Sequence, residues 1–420
     1  MTVPRLGRPG RWGVLLLLAA FCLAFASGSV AAAQATIASG NGDRLAADPQ
    51  APPPTVKPPN DPLFRHQWHL PATQIPSAWA ISRGAGATVA VLDTGVAYAD
   101  RGPYRRAPDL ARTRFVAGWD FVDDDPYPHD VPPPRGRRSH GTHIAGIIAQ
   151  TTGNGIGGAG VAPAAAIMPI RVLEPDRTGS ARAIARGLRF AADHGADVVN
   201  MSIAGPSPTR VLTEAVDYAA AKGVTVVAAA GNDGRPSVSW PAAHPKVIAV
   251  GAVGQNLTRA FYSNYGMPLD LVAPAGAGNL VDTGYGPADG VPAQTLKGGP
   301  SDFCFCFMAS TSAAAAQVSG AAALLVGSGR AKSPAEIRAA LLSSAQDLGP
   351  RGHDPEHGAG LVQARRALSP TRAASAPVRT RTRGPAPTRP VWLALSIAGA
   401  GLAGVVGLAL VTRRRRTNPA

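Results

Sequence analysis

From about residue 87 to residue 368, short apolar runs alternate with stretches of helical period, and neither end of the chain shares that alternation. The runs "ATVAVLD" (87–93), "AAIMPIRVL" (165–173), "ADVVNMSIAG" (196–205), "VTVVAAAGN" (224–232) and "VIAVGAV" (247–253) are nearly continuous in apolar residues. That is the pattern of strands buried on both faces. Between them, "GSARAIARGLRFAADHG" and "TRVLTEAVDYAAAKG" carry helical periodicity, and each ends in glycine. The alternation predicts an α/β fold with a central, mostly parallel sheet flanked by helices, and places any chemistry at the carboxyl ends of the strands.

The ends have other patterns. Arg5, Arg8 and Arg11 precede "GVLLLLAAFCLAFA", and Ala24 and Ala26 form a small-x-small site, so residues 1–26 are expected to be a secretory signal peptide. Residues 27–59 form a Pro/Ala-rich arm without apolar period, too short for a folded pro-domain. The folded body is expected over 60–370, followed by a Pro- and Arg-rich stalk at 371–390. Residues 391–411, "VWLALSIAGAGLAGVVGLALV", are 21 uncharged residues, enough to cross a bilayer as one helix. "RRRR" follows within the basic tail 412–420 and sets that end in the cytoplasm. The expected protein is single-pass in the cell membrane, with its folded body outside the cytoplasm.

The formal net charge of +15 comes mostly from these ends. Three arginines lie in the signal peptide and nine in 371–420, with no acidic residue in either segment, which leaves about +3 for the rest. The basicity therefore belongs to membrane topology, and no nucleic-acid partner is expected. Cys22 leaves with the signal peptide, so only Cys304 and Cys306 remain and no disulfide framework forms. One residue apart on an extended strand, the pair sits near the upper limit for a bridge. Free thiols and a strained bridge across the one intervening residue are both open, with the reduced or partner-dependent form favoured.

Three places carry chemistry. Asp93 closes the first strong strand in "VLDTGV", His140 begins a helix in "SHGTHIAGIIA", and Ser312 begins another in "STSAAAAQVSG". An Asp, a His and a Ser at strand ends are the parts of a nucleophilic triad: the hydroxyl needs the imidazole to take its proton, and the imidazole needs a carboxylate to fix its tautomer. Placing Ser312 at a helix start also aims its own N–H at a developing oxyanion.

These motifs, in the order Asp, His, Ser, resemble those of the subtilisin-like serine peptidases over roughly residues 60–368. The resemblance implies a three-layer subtilisin-like fold and a serine endopeptidase that acts on protein or peptide substrates. By it Asp93 orients, His140 is general base and acid, and Ser312 attacks the scissile carbonyl. "VVAAAGNDG" looks like the segment that supplies the oxyanion-hole asparagine, which falls on Asn232. "NMSIAG" matches the edge segment that pairs with extended substrate, which falls on Ser202, Ile203, Ala204 and Gly205. The chain departs from the family at Ser310, where glycine is usual, at Ala313–Ala316, where Met-Ala-Thr-Pro is usual, and at Gln317, where histidine is common.

The resemblance extends to calcium. Thermitase-like members hold an ion between an early aspartate, a second on the first helix-loop, and an asparagine loop before "GVAP". Here those positions fall on Asp61, Asp109 and Asn154, with carbonyls from Thr151, Ile156 and Gly158. A second calcium candidate is "DFVDDDP", where Asp120, Asp123 and Asp125 alternate so that they can converge on one ion. His143, three residues after His140, has no third ligand at a suitable spacing for a metal site, and "HDPEHGAG" at 353–360 is expected to close the core rather than bind metal. The anchored layout also resembles mycosins, peptidases attached to type VII secretion systems. It gives the alternative of a structural part of a secretion complex, with a secretion-system partner and little need of catalysis.

Overall fold

The computed structural model describes residues 57–131, 138–205, 207–278 and 289–369. The predicted signal peptide, stalk, membrane span and basic tail, and all but the last three residues of the arm, lie outside the described residues.

Two short helices, α1 (His69–Ala72) and α2 (Ile75–Ala78), lead into β1 (Thr88–Asp93). Then come β2 (Arg114–Phe115), β3 (Trp119–Asp120), α3 (Gly141–Ala149), β4 (Ala166–Arg171), α4 (Ala181–Asp193) and β5 (Val198–Met201). The chain continues through α5 (Arg210–Ala221), β6 (Thr225–Ala229), β7 (Val247–Val253) and β8 (Leu271–Pro274). A hairpin of β9 (Val291–Leu296) and β10 (Phe303–Met308) precedes α6 (Thr311–Gly327), α7 (Pro334–Ser344) and α8 (Ala364–Leu368).

The main sheet runs β2–β4–β1–β5–β6–β7–β8, all parallel, with β3 also paired to β4. Every residue of β1 is buried, because the strand feeds two cores. Val89 and Val91 pack on the side of α3 and α6, while Ala90 and Leu92 pack on the side of α4 and α5. Each such Val or Leu gains about 1.5–3 kcal/mol by leaving water, which is why these strands have no polar face to alternate with.

The covering helices differ. On α4, Ile184, Ala185, Leu188 and Ala191 make one buried stripe, and the Ser180 hydroxyl caps its start by accepting the Ala183 N–H at 3.0 Å. Helix α6 is buried from Thr311 to Leu325. Its alanines and glycine suit a helix enclosed all round, with Gly320 pressed against the Val161 side chain.

β1 sits where the strand order reverses. β4 is added on one side of it and β5 on the other, which opens a crevice at its carboxyl end. The predicted runs overshoot the strands here: β5 stops at Met201 and β6 at Ala229, leaving 202–205 and 230–232 to bend into that crevice.

Of the two states open to the cysteine pair, the structure has the bridge, against the favoured reduced form. Cys304 and Cys306 are bonded to each other, with Cα atoms 5.8 Å apart. Both face the buried side of β10, opposite Phe303, Phe305 and Phe307, so the i, i+2 repeat of the strand brings the sulfurs together.

Candidate active site

Asp93, at the last position of β1, is fully buried, and both carboxylate oxygens lie at the His140 Nδ1, at 2.7 and 2.8 Å. The Thr94 N–H donates to the same carboxylate at 2.8 Å. His140 caps α3 and is 4% exposed. The carboxylate thus holds the proton on Nδ1 and leaves Nε2 as the basic nitrogen.

Ser312 stands in the first turn of α6, next to two hollows of about 300 and 210 Å3 that His140 and Asn232 also line. No hydrogen bond joins Ser312 Oγ to His140 among the described residues, as is common before substrate tightens such a pair. The Ser312 N–H likewise has no partner among the described residues.

The three consecutive hydroxyls before α6 divide the work. Ser310, extended at φ −171°, is the helix cap, its Oγ accepting the Ala313 N–H at 3.4 Å. An extended backbone there needs no glycine, which explains how this departure is accommodated. Thr311 pins Asn232: its N–H and its hydroxyl both donate to Asn232 Oδ1, at 2.8 and 2.9 Å. That fixes the amide and leaves its Nδ2 group for a ligand. Gln317 donates to the carbonyls of Pro274 and Ala313, so it serves as a buried brace inside the helix layer.

Ser202 does more than border the substrate edge. Its hydroxyl donates to the Ser312 carbonyl at 3.1 Å and accepts the Asn200 amide at 3.0 Å, while Ser319 donates to Asn200 Oδ1 at 3.0 Å. Asn200 and Ser319 were missed in the sequence, although an asparagine inside the apolar run "VVNM" was the visible signal. Ile203 and Ala204 extend from β5 beside the smaller hollow, with no backbone hydrogen bond among the described residues. Gly205 differs from expectation: it exchanges both its backbone hydrogen bonds with Trp240, at 2.7 and 3.0 Å, so the free edge ends at Ala204.

His143, one turn after His140, faces the backbone of β9. Its Nε2 meets the Val291 carbonyl at 3.0 Å, and burial pushes the imidazole down to about 3. His357 pairs with Asp354 at 3.4 Å in a buried turn. Among the described residues no group of three or more His, Cys, Asp or Glu could hold a metal.

The two calcium candidates come out differently. Asp61 accepts the backbone N–H groups of Gly153 and Asn154, at 2.7 and 2.9 Å, and Asp109 accepts the Asn154 side chain at 2.8 Å. Both carboxylates are buried, and burial pushes Asp109 up to about 7. The carbonyls of Thr151, Ile156 and Gly158 accept nothing among the described residues. Two buried carboxylates, an amide and unpaired carbonyls, with no ion-paired cation, fit a hard divalent ion. Asp120, Asp123 and Asp125 do not. Arg171 donates to Asp120 at 2.7 Å and to Asp123 at 2.5 Å, and Asp125 accepts the Tyr127 N–H at 2.8 Å. A guanidinium already stands where the ion was expected.

The comparisons with known proteins agree with this geometry. A family model described as "Subtilase family" matches residues 84–360. Thermitase of Thermoactinomyces vulgaris is 38% identical over 295 residues, covering 70% of this chain and 94% of that protein. Subtilisin BL of Lederbergia lenta is 37% identical over 298 residues, covering 71% and 96%. A solved protease structure from Pseudoalteromonas arctica aligns with a TM-score of 0.66 at 32% identity, covering 74% of this chain and 99% of that one.

Proposed function

The chain belongs to the subtilase family of serine proteases, and on that premise we propose that Asp93, His140 and Ser312 are the catalytic triad of a membrane-anchored, extracytoplasmic endopeptidase. The observation that carries this reading is the contact of both Asp93 oxygens with His140 Nδ1, beside a hollow that Ser312 and Asn232 share. His140 Nε2 takes the Ser312 Oγ proton as Oγ bonds to the scissile carbonyl carbon. The oxygen that gains charge lies against the Ser312 N–H and the Asn232 Nδ2 group, whose aim is set by Thr311. His140 passes its proton to the leaving amine, and water then releases the acyl group from Ser312 by the same steps in reverse roles.

An extended peptide adds along Ser202–Ala204 as a strand. Leu173, Ile203 and Ala229 line the smaller hollow, which favours an apolar side chain near the cut. Asp61, Asp109 and Asn154, with the carbonyls of Thr151, Ile156 and Gly158, would hold a calcium ion. When bound, that ion would supply positive charge between the two carboxylates and take no part in acyl transfer. Anchoring rests on the uncharged run 391–411 and the arginines after it. The test compares the purified ectodomain with Ser312→Ala on a peptide substrate. Loss of turnover with folding intact is expected, and retained turnover would refute the triad.

A further inference from the structure

Asp130 belongs to none of the motifs, yet it lies at the point where the two halves of the Asp93–His140 pair meet. We propose that Asp130 is a positioning residue, whose carboxylate clamps the loop after Asp93 to the first turn of α3 and thereby sets the contact between Asp93 and His140. The proposal rests on the triad reading above.

Asp130 is 1% exposed and has no ion-pair partner among the described residues. Its Oδ1 accepts the Thr94 hydroxyl at 2.9 Å, and its Oδ2 accepts the N–H and the hydroxyl of Thr142, at 2.9 and 2.6 Å. Thr94 is the neighbour of Asp93, and Thr142 is two residues from His140. Each threonine oxygen also accepts a backbone N–H from the opposite segment: Thr94 from Gly141 at 3.0 Å, and Thr142 from Ala97 at 3.0 Å. Each hydroxyl has one hydrogen, and both hydrogens point at Asp130.

Three donors and no acceptor therefore converge on this carboxylate, an arrangement that only its ionised form satisfies. Burial pushes the carboxyl up to about 7, and the bonds from Thr142 and Thr94 oppose that shift. A buried charge without a counter-ion is costly, and here its charge is spent on joining two segments of the site.

The backbones leave no slack for another arrangement. Gly95 has φ +98°, and a Cβ there would overlap the His129 carbonyl, while a Cβ on Gly141 would overlap the Gly95 carbonyl. His129 is stacked between Tyr98 and Tyr104, with ring centroids 4.7 Å away on each side, which seats the residue before Asp130. In this interlocked corner, loss of the clamp shifts α3 relative to β1, and with it the imidazole relative to its carboxylate.

The experiment measures kcat and KM of the purified protein per titrated active site for Asp130→Asn, Thr142→Val and Thr142→Ser. An asparagine turns an NH2 toward a donor, and valine keeps the shape of Thr142 without its hydroxyl. Both are expected to lower kcat by about tenfold or more with KM little changed, since small misplacements of catalytic groups cost on that scale. Thr142→Ser restores the hydroxyl and is expected to recover most of the loss. If Asp130→Asn does not fold, the valine and serine pair still decides. The proposal is overturned if the folded Asp130→Asn or Thr142→Val protein keeps kcat within about twofold of wild type, or if serine is no better than valine. A wild-type protein with neither turnover nor a titratable serine would instead overturn the triad reading beneath it.

Discussion

The loop around Asp61, Asp109 and Asn154 and the loop around Asp120, Asp123 and Asp125 carry similar acidic signatures, yet among the described residues only the second has a cation paired to its carboxylates. Arg171, at the end of β4, reaches Asp120 and Asp123 from 51 and 48 positions along the chain. It is 3% exposed, and burial pushes Asp120 above the usual carboxylate range while the guanidinium pulls it back. The first loop has backbone and amide donors but no guanidinium or ammonium paired to its carboxylates, Arg83 acting on Asp61 only through its charge, and burial lifts Asp109 to about 7. Spacing of carboxylates therefore predicts that a positive charge is needed and not whether the charge is an ion or a side chain.

The largest effect that would break this contrast is Arg171→Met. Removing one partner of a buried pair costs about 3–5 kcal/mol, read as a drop in the denaturant midpoint, and the chelator response should stay as in wild type. A stability change under about 1 kcal/mol would mean that Arg171 does not neutralise the loop.

Chelation acts on the other loop. A ligand bound only by the folded state stabilises it by about 2.7 kcal/mol at a hundredfold excess over its Kd. Chelator should lower the melting temperature of the wild type accordingly, and Asp109→Asn should abolish the difference. An equal chelator effect in Asp109→Asn would place the ion elsewhere.

A third experiment sharpens the contrast by leaving both loops intact. His69 and His143 are buried beside each other, and burial, with each imidazole's cationic neighbours, pushes both down to about 3 from an ordinary 6.5. The unfolded chain binds two protons as pH falls through 6.5 that the folded chain refuses until about 3. The pair's contribution is thus fully present above 6.5 and falls across that window, by about 2–3 kcal/mol at pH 5.5, against the opposite trend of Asp109 and Asp130, whose raised carboxyls add stability as pH falls below about 7. The difference in pH trend between wild type and His69→Phe/His143→Phe isolates the pair, and it should persist in chelator. A decline unchanged in that double variant would point to other groups.

Asp123→Ala is the smallest change. Asp123 is mostly exposed, so its bond to Arg171 should be worth less than about 1 kcal/mol. A loss as large as that of Arg171→Met would show that the pair with Asp120 is not the main contact.

Much of the scaffold was legible because its chemistry is local. A strand buried on both faces must be continuously apolar, so β1, β4, β5, β6 and β7 stand out in the sequence, and Asp93, His140 and Ser312 follow from their places at element ends. What was not legible depends on partners brought together by folding. Arg171 gives no sign in "IMPIRVL" that it will meet Asp120. Asp130 lies ten positions before His140, beside a proline-rich stretch of sequence without any periodicity to mark it. Gly205 looked like free edge until Trp240 paired with it. Cys304 and Cys306 stood near the upper limit for a bridge, and their 5.8 Å Cα separation on β10 brings them inside it.

The central claim is that Ser312 is the nucleophile activated by His140. Its most direct test is to react the purified protein with a serine-directed fluorophosphonate and locate the adduct by mass spectrometry of its peptides. The account predicts one adduct, on Ser312, that disappears in His140→Ala. An adduct on Ser310 or Ser202, or the same labelling of Ser312 without His140, would contradict it.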